Sequence, residues 1–76
     1  MNTENALRLV IGFDAEGQPV ETHARSLDRD LAATLANVWL MNDKRIATVE
    51  VHLVQMENGL GQQRDPEHRA TLPWIA

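Results

Sequence analysis

The segment NALRLVIGFD, residues 5–14, places apolar side chains at every second position. The regular set consists of Leu7, Leu9, Ile11 and Phe13. A period of two is that of a β-strand with one buried face, because successive side chains of an extended chain point to opposite sides. The sequence therefore predicts a first strand whose leucine, isoleucine and phenylalanine side chains face a core.

The residues that follow this strand predict a β-hairpin. DAEGQP, residues 14–19, has its aspartate and glycine placed as in a type I turn that a glycine at positive φ closes. PVETHARS, residues 19–26, then alternates again, with Val20, Thr22 and Ala24 expected to point inward. The outward set is then Glu21, His23 and Arg25.

A helix is predicted next, from Leu27 to Met41. Apolar residues recur at spacings of four, four and three, which is the pattern of an amphipathic helix; they are Leu27, Leu31, Leu35 and Val38. Ser26 is a suitable N-cap, and Asn42 can adopt the left-handed conformation of a C-cap. We expect the leucine stripe to pack against the apolar set of the first strand.

The rest of the chain predicts one more strand and a tail. IATVEVHLVQM, residues 46–56, is rich in β-branched residues, with Val49 and Val51 on one face. ENGLGQQ, residues 57–63, reads as a loop, and DPEHRATL, residues 65–72, as the start of a short helix that Pro73 ends.

Together these elements predict an α+β fold. It is a three-stranded antiparallel sheet in the order β-β-α-β, with one helix on one face and a C-terminal tail. A right-handed crossover after the hairpin places the first strand in the middle. We expect one domain over residues 1–76, with its core in 5–56 and a loop and tail in 57–76.

Composition excludes several classes of function. The 76 residues carry a formal net charge of −4, which disfavours nucleic-acid binding because such proteins need a basic face. The chain has no cysteine, so it forms no disulfide or thiolate metal site, and this fits a cytoplasmic protein. No segment resembles a signal peptide or a membrane span, so we expect no membrane contact.

Several residues are candidates for binding a protein partner. The face of the sheet without a helix is expected to be only partly polar, and an apolar patch on such a face marks an interface. Trp39 and Leu40 on the helix form a second candidate, and Trp74 and Ile75 in the tail a third. On the open face we expect Val10, Glu21, His23, Arg25, Glu50, His52 and Val54.

Catalytic chemistry finds little support in the residue pattern. His23 and His52 are expected on the same outer face, each near a glutamate, and two histidines with a carboxylate can bind zinc. Their strands lie about 10 Å apart in the predicted order, which disfavours a shared metal ion. His68 lies in a polar tail, and Ser26 is better explained as a cap than as a nucleophile.

The element order of residues 5–56, with the returning strand IATVEVHLV, resembles that of small inhibitor proteins of phages and mobile elements. Some anti-CRISPR proteins are of this build. The resemblance implies a stoichiometric inhibitor that occupies a surface of a host complex, and it transfers no functional residue to this chain.

Our expectation is therefore a non-enzymatic protein-binding module without a cofactor. One alternative is a homodimeric subunit that pairs through the open sheet face or the C-terminal tail. The second alternative is a small metal-dependent enzyme site at His23 and His52.

Overall fold

Four β-strands and one α-helix form the described part of the chain, which covers residues 6–54 and 65–72 of a computed structural model. Their order is β1 (Ala6–Phe13), β2 (Pro19–Leu27), α1 (Arg29–Asn42), β3 (Thr48–Leu53) and β4 (His68–Thr71). The strands form one antiparallel sheet in the order β2-β1-β3-β4. The α+β class and the central place of the first strand are confirmed, whereas the sheet has four strands rather than three.

The fourth strand comes from a segment that the sequence predicted as a short helix. The backbone N–H of Glu67 donates to the carbonyl of Val51 at 2.7 Å, and Ala70 lies opposite Val49 in the register. The prediction was wrong because the free edge of β3 supplies backbone partners that a local helix signal cannot take into account.

The turn between β1 and β2 is confirmed. The carboxylate of Asp14 accepts the backbone N–H groups of Glu16 and Gln18, each at 2.9 Å. Gly17 has a φ of 82°, a conformation that favours glycine because other residues would place a Cβ against the backbone. These bonds fix the register of the hairpin that carries β2.

Helix α1 covers the face of the sheet opposite to the one that the first strand predicted. Val10 lies directly between His23 of β2 and Val51 of β3, and these three residues point to the helix side. Leu7, from the set predicted as core, is 41% exposed. The buried apolar residues are Val10, Ala32, Ala36, Leu40, Ile46, Ala47, Val49 and Val51.

The helix is also rotated relative to the prediction. Ala32 and Ala36 are fully buried, whereas the predicted core residues Leu31, Leu35 and Val38 are 47%, 41% and 50% exposed. Alanines let a helix approach a sheet closely, so the leucines are displaced to its flank. No helix among the described residues is long and apolar enough to cross a membrane.

The ends of α1 differ from those predicted. Asp28, not Ser26, is the N-cap, and its carboxylate accepts the N–H of Leu31 at 2.7 Å. Ser26 lies within β2, because the strand extends to Leu27. At the other end the helix continues through Asn42, and Asp43 caps it in an extended conformation.

A buried arginine joins the first strand to the last segment. Arg8 is 5% exposed on the helix side of β1, and its Nε donates to Glu67 Oε1 at 2.7 Å. Its Nη1 donates to the carbonyl of Leu27 at 2.6 Å. A buried charge needs such partners, so this contact holds β4 and the end of β2 against the centre of the sheet.

The orientation of the helix can be tested with two leucines. Leu40→Ala should lower the free energy of unfolding by about 2–5 kcal/mol, because it leaves a cavity in the core. Leu35→Ala should cost less than about 1 kcal/mol, since its side chain is already partly in water. Urea unfolding followed by circular dichroism measures both. A larger cost for Leu35→Ala would show that the leucine stripe faces the core.

Candidate functional site

A groove runs between α1 and β2 on the helix side of the sheet. It exists because α1 packs mainly over β1, β3 and β4 and leaves β2 uncovered. The groove has a volume of about 200 Å³ and is open to solvent. We call it the α1–β2 groove, and its lining residues are Val10, His23, Arg25, Leu35 and Trp39.

The position of Trp39 depends on a glycine in the strand below it. A Cβ at Gly12 would lie 2.7 Å from Cη2 of the indole ring and 2.7 Å from Cδ1 of Ile46. Gly12 therefore lets the indole lie directly on β1. The edge of the His23 ring meets Trp39, with centroids 5.1 Å apart and planes at 71°. This contact joins the wall of the groove to β2.

The groove is bordered by exposed apolar side chains of α1. Leu35, four residues before Trp39, lines the groove, and Leu31 and Val38 continue the exposed apolar surface from it over the outer face of the helix; we call these three residues the leucine flank. Met41, one turn further, is 72% exposed. Contiguous apolar surface beside a groove is typical of a binding site.

Charged groups close the end of the groove near the C-terminus of α1. The indole Nε1 of Trp39 donates to Asp43 Oδ2 at 3.0 Å. Arg45 donates to both Asp43 and Glu21, at 2.7 Å and 2.9 Å from its Nη2. Glu21 also lies 3.5 Å from His23 Nε2. The network thus ties the end of α1 to β2.

This network shifts the pKa of two of its members. Hydrogen bonds from the Arg45 side chain and backbone hold the pKa of the Asp43 carboxyl well below its usual range, and the bond from Trp39 adds to this. The pKa of Arg45 is raised, first by its hydrogen bonds to Asp43 and then by that to Glu21. Both groups are therefore charged at neutral pH.

The groove unites only part of the predicted binding set. Val10, His23, Arg25 and Trp39 line it, and Glu21 lies at its end. Val10 is 4% exposed, so it forms the floor and offers little surface. Leu40 was wrongly expected to be exposed; at 6% exposure it belongs to the core, because the helix faces the sheet through its alanines.

Other predicted residues lie elsewhere. Glu50 and His52 are on the opposite face of the sheet, where Glu50 Oε1 is 2.8 Å from His52 Nε2. Val54 follows β3, and its N–H donates to the carbonyl of Leu7 at 3.0 Å. Trp74 and Ile75 lie outside the described residues.

The expected common face of His23 and His52 was wrong. His23 lies opposite Val10, whereas His52 lies opposite Leu9, so the two rings are on different faces of the sheet. In residues 6–54 and 65–72 no three histidine, aspartate or glutamate side chains are placed to hold a metal ion.

Sequence reasoning missed the leucine flank because it assigned those residues to the core. A second stripe was present in the sequence, formed by Ala32, Ala36 and Leu40 at spacings of four. Two stripes on one helix indicate that only one of them can face the sheet. Alanine-rich spacing was the signal that could have identified the buried one.

Comparisons with protein-family models, curated proteins and solved structures found no match. The interpretation of the α1–β2 groove therefore depends on its own geometry. Its features are an apolar floor and wall, an aromatic ring fixed by hydrogen bonding, and a charged strand that forms the outer rim.

Acid should reduce the contribution of Asp43 to stability. Its pKa is lower in the folded chain than in the unfolded chain, so its contribution is complete above about pH 4 and is lost as the pH falls through the folded value. Asp43→Asn should be less stable than the wild type at pH 7, with a difference that shrinks between about pH 4 and pH 2. Urea unfolding at a series of pH values measures this.

Glu16→Gln, in the exposed turn, is the control for the loss of one carboxylate. It should unfold like the wild type at pH 7, because the Glu16 side chain makes no hydrogen bond or ion pair among the described residues. A difference between Asp43→Asn and the wild type that stays constant down to the lowest pH would contradict the assignment.

Proposed function

We propose that this chain is a protein-binding module that acts by occupying a surface of a larger protein through the α1–β2 groove and the leucine flank. One observation carries the proposal. Four of the five large apolar residues that are exposed in the described part lie on α1, and one of them, Leu35, lines the groove: Leu31, Leu35, Val38 and Met41. Because an apolar surface of this kind is typical of an interaction site, we infer that a partner covers the exposed side of α1.

The occupant that suits this site is an apolar helix of the partner. Two packed helices lie roughly 8–10 Å apart, which is about two strand spacings. A helix beside α1 on the side of Leu35 and Trp39 would therefore lie over β2, which α1 leaves largely uncovered. Its apolar side chains would contact Leu31, Leu35 and Trp39, in the manner of helix-in-groove recognition.

Trp39 and Arg25 are the residues from which we expect most of the affinity. Tryptophan and arginine are enriched among the few interface residues that dominate binding energy. The indole of Trp39 is held in place by Asp43, so binding does not have to order it. Arg25 makes no hydrogen bond or ion pair with any other described residue, which leaves its guanidinium for a carboxylate on a partner.

The net charge of −4 favours a partner with a basic surface around the contact, because opposite charges steer association. A stoichiometric inhibitor of a host protein is the finer form of the proposal. It is supported by the element order of residues 6–54 and by the concentration of exposed apolar surface on one helix. In this function His23 is a wall residue against Trp39 and has no catalytic role.

Capture experiments with matched helix variants test the proposal. The chain is immobilised and exposed to an extract of the cells that carry its gene, and the retained proteins are quantified by mass spectrometry. Leu35→Glu should reduce the specifically retained protein at least about tenfold, since it places a charge on the apolar wall. Asn37→Glu, on an exposed site two residues away that contacts His68 of β4 and not the groove, should retain it like the wild type.

Circular dichroism of each variant verifies that the fold is intact. Retention of the same proteins in equal amounts by the wild type, Leu35→Glu and Asn37→Glu would contradict the proposed site. Retention of no protein by the wild type, including further copies of the chain itself, would contradict the proposed function.

A further inference from the structure

We propose that β2 pairs with β2 of a second copy of this chain, antiparallel and around a two-fold axis at His23. This goes beyond the proposed function, because it concerns the backbone groups at the outer edge of the strand, although Arg25 and Glu21 also border the groove. Among the described elements β2 has a neighbour on one side alone, since the sheet order is β2-β1-β3-β4. The strand is nine residues long and most of its residues are exposed.

The backbone of β2 offers a regular row of hydrogen-bonding groups at this edge. In β1, the carbonyls of Leu7 and Phe13 accept N–H groups from the β3 side. The backbone N–H and C=O groups of the alternate residues therefore point to β2. Val10, which lies opposite His23, is one of these residues. In β2 the N–H and C=O groups of His23 then face β1, and those of Thr22 and Ala24 face outward. An unpaired row of this kind is a template for another strand.

An axis at His23 uses the whole strand. His23 is the central residue of Pro19–Leu27, so antiparallel pairing around it places every residue of one copy opposite a residue of the other. Thr22 then lies opposite the second copy's Ala24, and both have outward-facing backbone groups, as a hydrogen-bonded pair requires. A shift of the register by two residues keeps this parity but loses part of the overlap.

Charge selects the same register. On the helix side, pairing around His23 places Glu21 opposite the second copy's Arg25, and Arg25 opposite the second copy's Glu21. Opposite charges at directly facing positions stabilise a pair of strands, and like charges destabilise it. A shift by two residues in either direction removes both pairs: it places His23 opposite either Glu21 or Arg25.

Within its own chain Arg25 has no partner among the described residues, whereas Glu21 is 42% exposed and is bonded to Arg45. Dimerisation would thus give Arg25 its carboxylate and extend the existing network of Glu21. The result is an eight-stranded sheet with both helices on one face. The two α1–β2 grooves then adjoin across the axis.

Charge reversal with mixing tests the register. Glu21→Arg and Arg25→Glu each create like-charge pairs in a homodimer, and each should weaken self-association at least about tenfold relative to the wild type. An equimolar mixture of the two variants has opposite charges at both pairs and should recover a dimer. Sedimentation velocity over a hundredfold dilution measures the association, and circular dichroism verifies folding. A mixture that remains as monomeric as the separate folded variants would overturn the register.

A single cysteine provides a second test, because the natural chain contains none. In this register the two copies of residue 23 face each other as a non-hydrogen-bonded pair with Cα atoms about 4.5 Å apart, within disulfide range. His23→Cys should form a disulfide-linked dimer on mild oxidation. Ala24→Cys is the control, since its two copies are displaced along the strands and lie out of range. Equal or faster cross-linking of Ala24→Cys would overturn the axis.

Two other occupants of the edge have distinct outcomes. If residues 73–76 cover β2, the full chain is monomeric and a chain ending at Leu72 dimerises, which overturns the proposal in favour of the tail. If another protein covers the edge of β2, the full chain and the chain ending at Leu72 are both monomeric at every concentration. The full chain still retains a protein from the extract, and Leu35→Glu still abolishes that retention. That result overturns the dimer and leaves the proposed function standing.

Discussion

The close approach of α1 to the sheet is the constraint on which the rest of the structure depends. Ala32 and Ala36 are fully buried, and Gly12 leaves room for the indole of Trp39 on β1. These three small residues bring the helix backbone near Val49 and Val51, and close packing makes such an interface favourable. The same approach displaces the leucines of α1 to its flank, so a packing decision in the core creates the apolar surface outside it.

A second consequence concerns polar groups. The helix covers the face of β1 that carries Arg8, and a buried guanidinium requires a carboxylate. Glu67 supplies it from a position 59 residues away in the chain, just before β4. A domain of this size buries a modest core, so a contact that returns a distant segment to the sheet matters for its stability. The ion pair and the pairing of β4 with β3 therefore support each other.

The surfaces available for binding lie on β2, the strand that α1 does not cover. Because α1 lies over β1, β3 and β4, the strand β2 is left with one uncovered face and one unpaired edge among the described elements. The face forms the groove with Trp39, and the edge carries the Glu21-Thr22-His23-Ala24-Arg25 sequence. The uncovered face suits an apolar helix. The unpaired edge suits an antiparallel strand that places an arginine opposite Glu21 and a glutamate opposite Arg25. The groove uses side chains on the helix side of β2, whereas strand pairing uses the backbone groups of its outer edge.

The sequence by itself determined the hairpin, the helix and the third strand, because turn chemistry and side-chain periodicity act over a few residues. The turn at Asp14 and Gly17 is an example, as is the burial of Val49 and Val51. Only the tertiary structure decided which face of β1 and which stripe of α1 are buried. Both faces of β1 carry apolar residues and α1 carries two apolar stripes. Periodicity alone therefore cannot decide which face and which stripe are buried. The choice is made by the fit of alanine and glycine at the contact, and the groove and its leucine flank exist because of that fit.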